Sequence, residues 1–250
     1  MRVELKLGDC LDKFKEIPDG SVDLILTDPP YGTTACKWDT VIPFEPMWEQ
    51  IWRVLKPNGV CALFGSEPFS SWLRIGQLKY FKYDWVWDKI IPSGMSYARF
   101  QPMRRHEFVS VFCRESASYY PQKSKRERPI KSGGMSKGEA INNPKWVPIK
   151  KVYEYKNPTS ILPFDKVRRG SVHPTQKPTA LLEYLVKTYT NEGETVLDFT
   201  MGSGSAGVAC VNTNRAFIGI EKDEKYFEIA QNRVNSAKAL INSDESEAVI

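Results

Sequence analysis

A glycine-rich turn stands late in this chain, and its position limits the fold more than any other feature. Thr195 to Phe199 reads as a strand, Gly202-Ser203-Gly204-Ser205-Ala206-Gly207 opens a helix, and Ala216 to Ile220 is a further strand closing on Glu221. The glycines fit the G-x-G-x-x-G spacing of a loop that binds an adenosine-containing cofactor, with the acid placed to take ribose hydroxyls. A dinucleotide-binding fold needs several more strand–helix units after such a loop. Here one helix, from residue 223 to about 240, follows the second strand. The other strands lie earlier, so the sheet must be assembled from both ends of the chain.

The earlier half carries a second strand-end motif. Val22-Asp23-Leu24-Ile25-Leu26-Thr27 reads as a buried parallel strand, and Asp28-Pro29-Pro30-Tyr31 follows it. Ligands of open α/β sheets bind beyond the C-terminal ends of the strands. Proline has no backbone N–H, so the main chain offers mainly acceptors here. Asp28 adds a carboxylate and Tyr31 a flat face. The set suits an exocyclic amine on a planar ring. A strand-terminating turn with a helix-capping Asp is the plain alternative for the tetrapeptide alone. Assembly from both ends puts the strand at 195–199 beside that at 22–27, so the two motifs share one crevice. A strand at 3–8 ends at Gly8-Asp9, and Asp9 closes the cofactor side.

Between these motifs, residues 32–39 read as a mobile loop over the site, with an exposed Trp38. Phe44 to Leu55 reads as an amphipathic helix, with Trp48, Ile51, Trp52 and Leu55 at helical spacing and in the core. A strand at 60–64, a helix from 68 to about 79 and a strand at 83–90 follow, then a Gly/Pro/Arg-bearing loop at 91–105. His106 and Glu107 open a strand at 108–113, where a structural hydrogen bond is favoured over a catalytic role.

Charge singles out one segment. The chain carries net +5, yet residues 114–170 hold 14 Lys and Arg against 5 Asp and Glu, which leaves the remainder at net −4. Tyr119, Tyr120, Trp146, Tyr153 and Tyr155 are interleaved with the basic residues, and no helical period is sustained. This suits a module that contacts nucleic-acid backbone and bases. A solvated, partly disordered insertion is the alternative. No apolar run is long enough to span a membrane, and the N-terminus lacks the apolar core of a signal peptide. The 5 cysteines are scattered and the 2 histidines far apart. A disulfide framework or a metal site is therefore not expected, and a reducing cytoplasm is. The small, polar tail at 241–250 is expected to fray.

Taken together, these motifs resemble the S-adenosylmethionine-dependent amino DNA methyltransferases of the β order, in which the DPPY motif comes first, target recognition next and the cofactor motif last. The resemblance covers nearly the whole chain. Asp28-Pro29-Pro30-Tyr31 matches the catalytic motif, His173 through Pro178 the motif before the cofactor strand, and Asp198 through Ser205 the glycine-rich cofactor motif. Glu221 looks like the acid on the ribose, and Asp9 like the acid near the cofactor adenine. The family pattern often reads Asp-Pro-Phe-x-Gly-Ser-Gly-Thr. Here the aromatic is shifted by one position, to Phe199, which leaves open the side chain that packs on the cofactor.

The resemblance implies a Rossmann-like α/β methyltransferase fold: a mostly parallel, seven-stranded sheet with helices on both faces, in circularly permuted motif order. It divides the chain into a catalytic half (1–113), a target recognition insertion (114–170), a cofactor-binding half (171–240) and the tail. It assigns catalysis to Asp28, Pro29, Pro30 and Tyr31. S-adenosyl-L-methionine would be held by Asp9, Thr175, Lys177, Asp198, Phe199, Thr200, Gly202, Ser203, Gly204, Ser205 and Glu221. Lys123, Lys125, Arg126, Arg128, Lys131, Arg168 and Arg169 would contact DNA.

In the implied reaction, Asp28 and the Pro29 carbonyl accept the N–H bonds of a flipped base, and Tyr31 stacks on its ring. The methyl group passes directly to the amine. DPPY, rather than a Ser-Pro-Pro variant, leans towards adenine N6 in duplex DNA. Cytosine N4, or an RNA or protein amide, is the alternative acceptor. A non-catalytic DNA-binding protein and a nucleotide-dependent oxidoreductase are disfavoured by the intact motifs and by the topology. The resemblance also allows a homodimer, and it suggests the cytoplasm of a bacterial or phage-infected cell.

Overall fold

The computed structural model describes residues 2–33, 39–131, 152–167, 172 and 176–247, the side chains of 242 and 244–247 aside. The strands are β1 (Val3–Leu7), β2 (Val22–Thr27), β3 (Leu55–Gly65), β4 (Phe81–Ser93), β5 (Arg104–Phe112), β6 (Ser124–Lys131), β7 (Val152–Lys156), β8 (Ile161–Pro163), β9 (Thr195–Asp198) and β10 (Ala216–Glu221). The helices are α1 (Cys10–Phe14), α2 (Phe44–Val54), α3 (Phe69–Gly76), α4 (Thr179–Tyr189), α5 (Ser205–Asn212) and α6 (Glu224–Glu247).

Among the described residues, the main sheet runs β1-β10-β9-β2-β3-β5-β4-β8. Its centre is parallel, and β5 is antiparallel to both β3 and β4. The two ends of the chain meet at β2 and β9, where Leu24 pairs with Val196 and Ile25 with Leu197. This is the juxtaposition expected for the two strand-end motifs.

Both faces of the sheet are covered, which is why its central strands are continuously apolar rather than alternating. Leu24 and Leu26 of β2 pack with Leu181 and Leu185 of α4 and Ala206 and Ala209 of α5. Ile25 points the other way, into a cluster with Phe14 of α1 and Met47, Trp48 and Ile51 of α2. Trp48 is core, as expected, and Trp52 stacks on it at 5.7 Å between ring centroids.

Three expectations are corrected. Among the described residues the sheet has eight strands rather than seven, because Ile161–Pro163 adds parallel to Val86–Asp88 of β4. Leu162 supplies a buried anchor there, and Pro163 sits on an edge strand, where its missing N–H is tolerated. Three residues are too short a run to show a period. The tail does not fray at 241: α6 continues to Glu247, with no Gly or Pro after 224 to stop it. The chain also divides more narrowly than at 114–170. One compact unit is Met1–Tyr120 with Ser160–Ile250, and the other is Pro121–Thr159. In the second unit, β6 and β7 pair as an antiparallel ribbon, with Lys125 opposite Tyr155 and Lys131 opposite Val152.

Candidate active site

A cleft of about 840 Å³ opens at the C-terminal ends of β1, β10, β9 and β2. Its walls include Asp9, Asp28, Tyr31, Glu107, Lys177, Asp198 and Glu221, all of the first unit.

The two sequence motifs are stitched together at its floor. Thr27 Oγ1 donates to Asp198 Oδ1 at 2.5 Å and lies 2.8 Å from Thr200 Oγ1. Thr200 donates its Oγ1 to the Asp28 carbonyl at 3.1 Å and its backbone N–H to Asp198 Oδ1 at 3.1 Å. Asp198 therefore bonds β2 to β9. Burial pushes its carboxyl up to about 7, against the bonds from Thr27 and Thr200.

On one side of this floor lies the glycine loop. Gly202 and Gly204 have φ of 52° and 75°, the left-handed region that glycine enters freely. A Cβ on Gly204 would also lie 2.9 Å from Ala230 Cβ of α6, so this position excludes any side chain. Gly202 N–H donates to Glu221 Oε2 at 2.8 Å, and the N–H groups of Lys222 and Asp223 donate to Glu221 Oε1 at 2.8 Å each. The acid is thus locked across the loop. Burial still raises its carboxyl above the ordinary value.

Asp9 does two jobs. Its Oδ1 caps α1 through Leu11 N–H at 3.0 Å, and its Oδ2 receives Lys222 Nζ at 3.0 Å beside Glu221. Phe199 is buried against Phe14, at 5.2 Å between centroids, while Met201 packs into the cluster on the opposite face of the sheet. Ser203 and Ser205 are buried at the loop and line the cleft.

On the other side stands Asp28, held at both carboxylate oxygens. Tyr31 donates its hydroxyl to Oδ1 at 2.5 Å, and Lys177 donates its ammonium to Oδ2. Lys177 was expected among the cofactor ligands; its Nζ sits on the Asp28 carboxylate. The same Nζ lies 3.3 Å from Glu107 Oε2, and Lys89 Nζ lies 2.8 Å from Glu107 Oε1. Lys177 is 8% exposed, with the rings of Phe64 and Trp87 at 5.1 and 5.9 Å.

Two carboxylates and two ammoniums thus balance in a largely buried row, as buried charge requires. Burial raises the Asp28 carboxyl, with Lys177 opposing it. Burial also acts to raise Glu107, but Lys177 and Lys89 outweigh it and hold that carboxyl below its usual value. Burial acts to lower Lys177, and the two carboxylates reverse the direction. Tyr31 is pushed well up by burial and the adjacent carboxylates, so it stays a neutral donor. Its ring lies against Phe69 at 5.1 Å and 32°.

The fold brings together Asp9, Asp28, Pro29, Pro30, Tyr31, Lys177, Asp198, Phe199, Thr200, Gly202, Ser203, Ser205 and Glu221 around the cleft. Gly204 shapes the loop behind it. Lys125, Arg126, Arg128 and Lys131 stand on β6 with Lys123 just before it, in the second unit, and Arg126 Nε donates to the Tyr155 carbonyl at 3.2 Å. Thr175, Arg168, Arg169 and the loop tip with Trp38 lie outside the described residues.

Two contributors escaped sequence reasoning. Glu107 was set aside as a structural strand residue, yet it lines the cleft as the second carboxylate on Lys177. Its only sequence signal is an acid at a strand end. Arg233 of α6 carries no signal of its own in the sequence. Its Nη1 donates to the Ser203 carbonyl at 2.5 Å and lies 2.9 and 3.2 Å from the Oγ atoms of Ser203 and Ser205, which braces the glycine loop. Among the described residues there is no cluster of His, Cys, Asp and Glu that could hold a metal ion, and no helix long and apolar enough to cross a membrane.

Comparison with known proteins agrees with this geometry. The DNA methylase family model N6_N4_Mtase matches residues 22–232. The type II methyltransferase M.HpaI of Haemophilus parainfluenzae is 28% identical over 94% of this chain and 75% of its own length. The type II methyltransferase M.BglII of Bacillus subtilis is 30% identical over 89% of this chain and 66% of its own length. Among solved structures, the complex of M1.HpyAVI with SAM superposes with a TM-score of 0.63 at 26% identity, over 92% of this chain and 99% of that one.

Proposed function

Because the chain belongs to the DNA methylase family of N6 and N4 amino methyltransferases, we propose that it transfers the methyl group of S-adenosyl-L-methionine to the N6 amine of an adenine turned out of duplex DNA. The observation that carries the reading is Asp28, an anchored acceptor at a strand end, in one cleft with Glu221 and the glycine loop. The Asp-Pro-Pro-Tyr form of the motif favours adenine over cytosine.

The residues present fit the cofactor. A carboxylate has about four acceptor positions, and Glu221 uses three on backbone N–H groups. The remaining one suits a ribose hydroxyl. The glycines let the main chain approach closely, and Asp9 stands at the adenine side. Bound S-adenosylmethionine supplies an electrophilic sulfonium methyl group.

The chain's own work is to present the amine. Its lone pair is delocalised into the base and must be turned out of the ring. Asp28 accepts an N–H from the amine, with the Pro29 carbonyl as the second acceptor, and so favours a pyramidal nitrogen. Tyr31 fixes Asp28 through its hydroxyl and offers its ring to the base. Lys177 keeps Asp28 ionised inside a buried site. Once methylated, the nitrogen sheds a proton, and Asp28 takes it. Positioning and electrostatics thus supply most of the rate.

The basic strand β6, with Lys123, Lys125, Arg126, Arg128 and Lys131, holds DNA phosphates. Its pairing with β7 makes a two-stranded ribbon of the kind a major groove admits. Arg168 and Arg169 are assigned the same role. We place the enzyme in the cytoplasm, as the modification partner in a restriction-modification system.

Product analysis tests this reading. The protein is incubated with S-adenosylmethionine and unmethylated duplex DNA, which is then digested to nucleosides and weighed. N6-methyladenine is the expected product. N4-methylcytosine keeps the mechanism and changes the base, and no methylated nucleoside overturns the reading.

A further inference from the structure

β4 leaves the sheet on the same edge as the Asp28 end of β2. It is antiparallel to β5, which is antiparallel to β3, which is parallel to β2. Lys89 and Ser93, near its end, line the cleft. Immediately beyond Ser93 the chain projects before returning as β5. Gly94 turns it at φ 91°, and Met95–Tyr97 forms a 3-10 turn. Four backbone bonds brace the projection: Tyr97 to Gly94 at 3.0 Å, Ala98 to Met95 at 3.1 Å, and Phe100 and Gln101 to Tyr97 at 2.9 and 3.1 Å.

This built projection shows its apolar residues to solvent. Met95 is 74% exposed, Tyr97 61% and Phe100 86%. A connection that only reversed the chain would carry small polar residues, and clustered exposed apolar side chains mark an interaction site. The charge is complementary to a polyanion. Arg99 and Arg104 are exposed and have no ion-pair partner among the described residues. Arg105, by contrast, is tied to Asp88 at 2.6 and 2.7 Å.

A base drawn into the cleft leaves a gap in the duplex, and proteins that distort DNA fill such gaps with apolar or aromatic wedges. We propose that residues 95–104 are this wedge, with Phe100 and Tyr97 entering the vacated stack and Arg99 and Arg104 on the flanking phosphates. The inference rests on the DNA-methyltransferase reading and adds the surface that opens the duplex. Its place beside Lys89 and Ser93 means that a duplex seated on it delivers its displaced base to the cleft.

The test compares wild type with Phe100→Ala and with Tyr97→Ala/Phe100→Ala on two substrates. One is a duplex carrying the methylated sequence, located by mapping protein-methylated DNA with modification-sensitive sequencing. The other is the same duplex with an abasic position opposite the target, which needs little opening. The variants should lose about tenfold to a hundredfold in kcat/KM on the paired duplex, as the loss of a base-stacking ring does. On the abasic duplex they should stay within about threefold of wild type. Fluorescence of 2-aminopurine at the target position should rise on binding wild type and rise less with the variants, independently of turnover. Unchanged rates on the paired duplex, or equal losses on both substrates, would overturn the wedge alone. A wild-type protein that methylates neither duplex removes the DNA reading, and the wedge with it.

Discussion

Lys177 donates its ammonium to the carboxylate of Asp28 from 149 residues further along the chain. The pair joins the Asp-Pro-Pro-Tyr tetrapeptide to the segment that leads into α4, and it gives this carboxylate the counter-charge that keeps it an acceptor. Desolvation favours the neutral acid, and a buried neutral Asp28 would present a proton where the amine needs a lone pair.

Replacing Lys177 with Met removes that counter-charge and should move the pH profile of kcat. The groups facing Asp28 are Lys177, Tyr31, Glu107 and, through Thr200, Asp198. Burial already raises the Asp28 carboxyl, and turnover needs its ionised form. Activity therefore falls as pH falls through that value. In Lys177→Met the ascending limb should shift to higher pH, with a loss on the order of a hundredfold at pH 7 that shrinks towards pH 9. Lys177→Arg should restore most of the original midpoint. A loss equal at every pH would assign Lys177 to structure alone.

Asp28→Ala should lower kcat by on the order of a thousandfold while leaving the cofactor dissociation constant within a few-fold of wild type. Calorimetry with S-adenosylmethionine and single-turnover methylation separate the two effects. Retained turnover would remove Asp28 from the mechanism.

Glu221→Ala deletes the acceptor of three backbone N–H groups, as well as the proposed ribose contact. Cofactor affinity should weaken by about tenfold to a hundredfold, with DNA affinity unchanged. An equilibrium titration of each ligand checks this, and an unchanged cofactor affinity would contradict the assignment.

Asp198 bears on stability rather than chemistry. Its carboxyl is pushed up to about 7 by burial, from an ordinary 3.8. A raised acid binds its proton more tightly folded than unfolded. The stability it contributes is therefore complete below about pH 3.8 and is lost as pH rises through about 7. Asp198→Asn removes that dependence. Relative to wild type, the variant should gain stability between pH 5 and pH 8, by up to a few kcal/mol in urea denaturation.

Arg126→Ala/Arg128→Ala/Lys131→Ala removes three charges from one strand of the ribbon. The slope of log affinity against log salt should drop by about one for each lost phosphate contact. Filter binding to duplex DNA across a salt series measures the slope. An unchanged slope would move the phosphate contacts off β6.

Much of the site was legible because it is local. Asp28-Pro29-Pro30-Tyr31, the glycine loop and Glu221 are each fixed by strand ends and by backbone conformations that few residues allow. Their meeting is seen in the structure, where Leu24 and Ile25 of β2 pair with Val196 and Leu197 of β9. Glu107 was not legible, because nothing around it in sequence distinguishes a cleft-facing acid from a surface one. Its role comes from Lys177 and Lys89, which other elements bring to it. Arg233 escaped for the same reason: a helix residue shows its face by spacing, but not that its guanidinium reaches a loop 30 residues earlier.

By itself, the sequence determined most of the strands and helices outside residues 114–170, and where the acceptors and the glycine turn lie. These follow from periodicity, from proline and glycine geometry and from the order of elements, all properties of neighbouring residues. Only the tertiary structure decided that β8 adds an eighth strand, that Lys177 pairs with Asp28, and that Glu107 completes the buried charge row. Those outcomes depend on which charges lose water together and which must then pair, and that is settled only when distant segments pack.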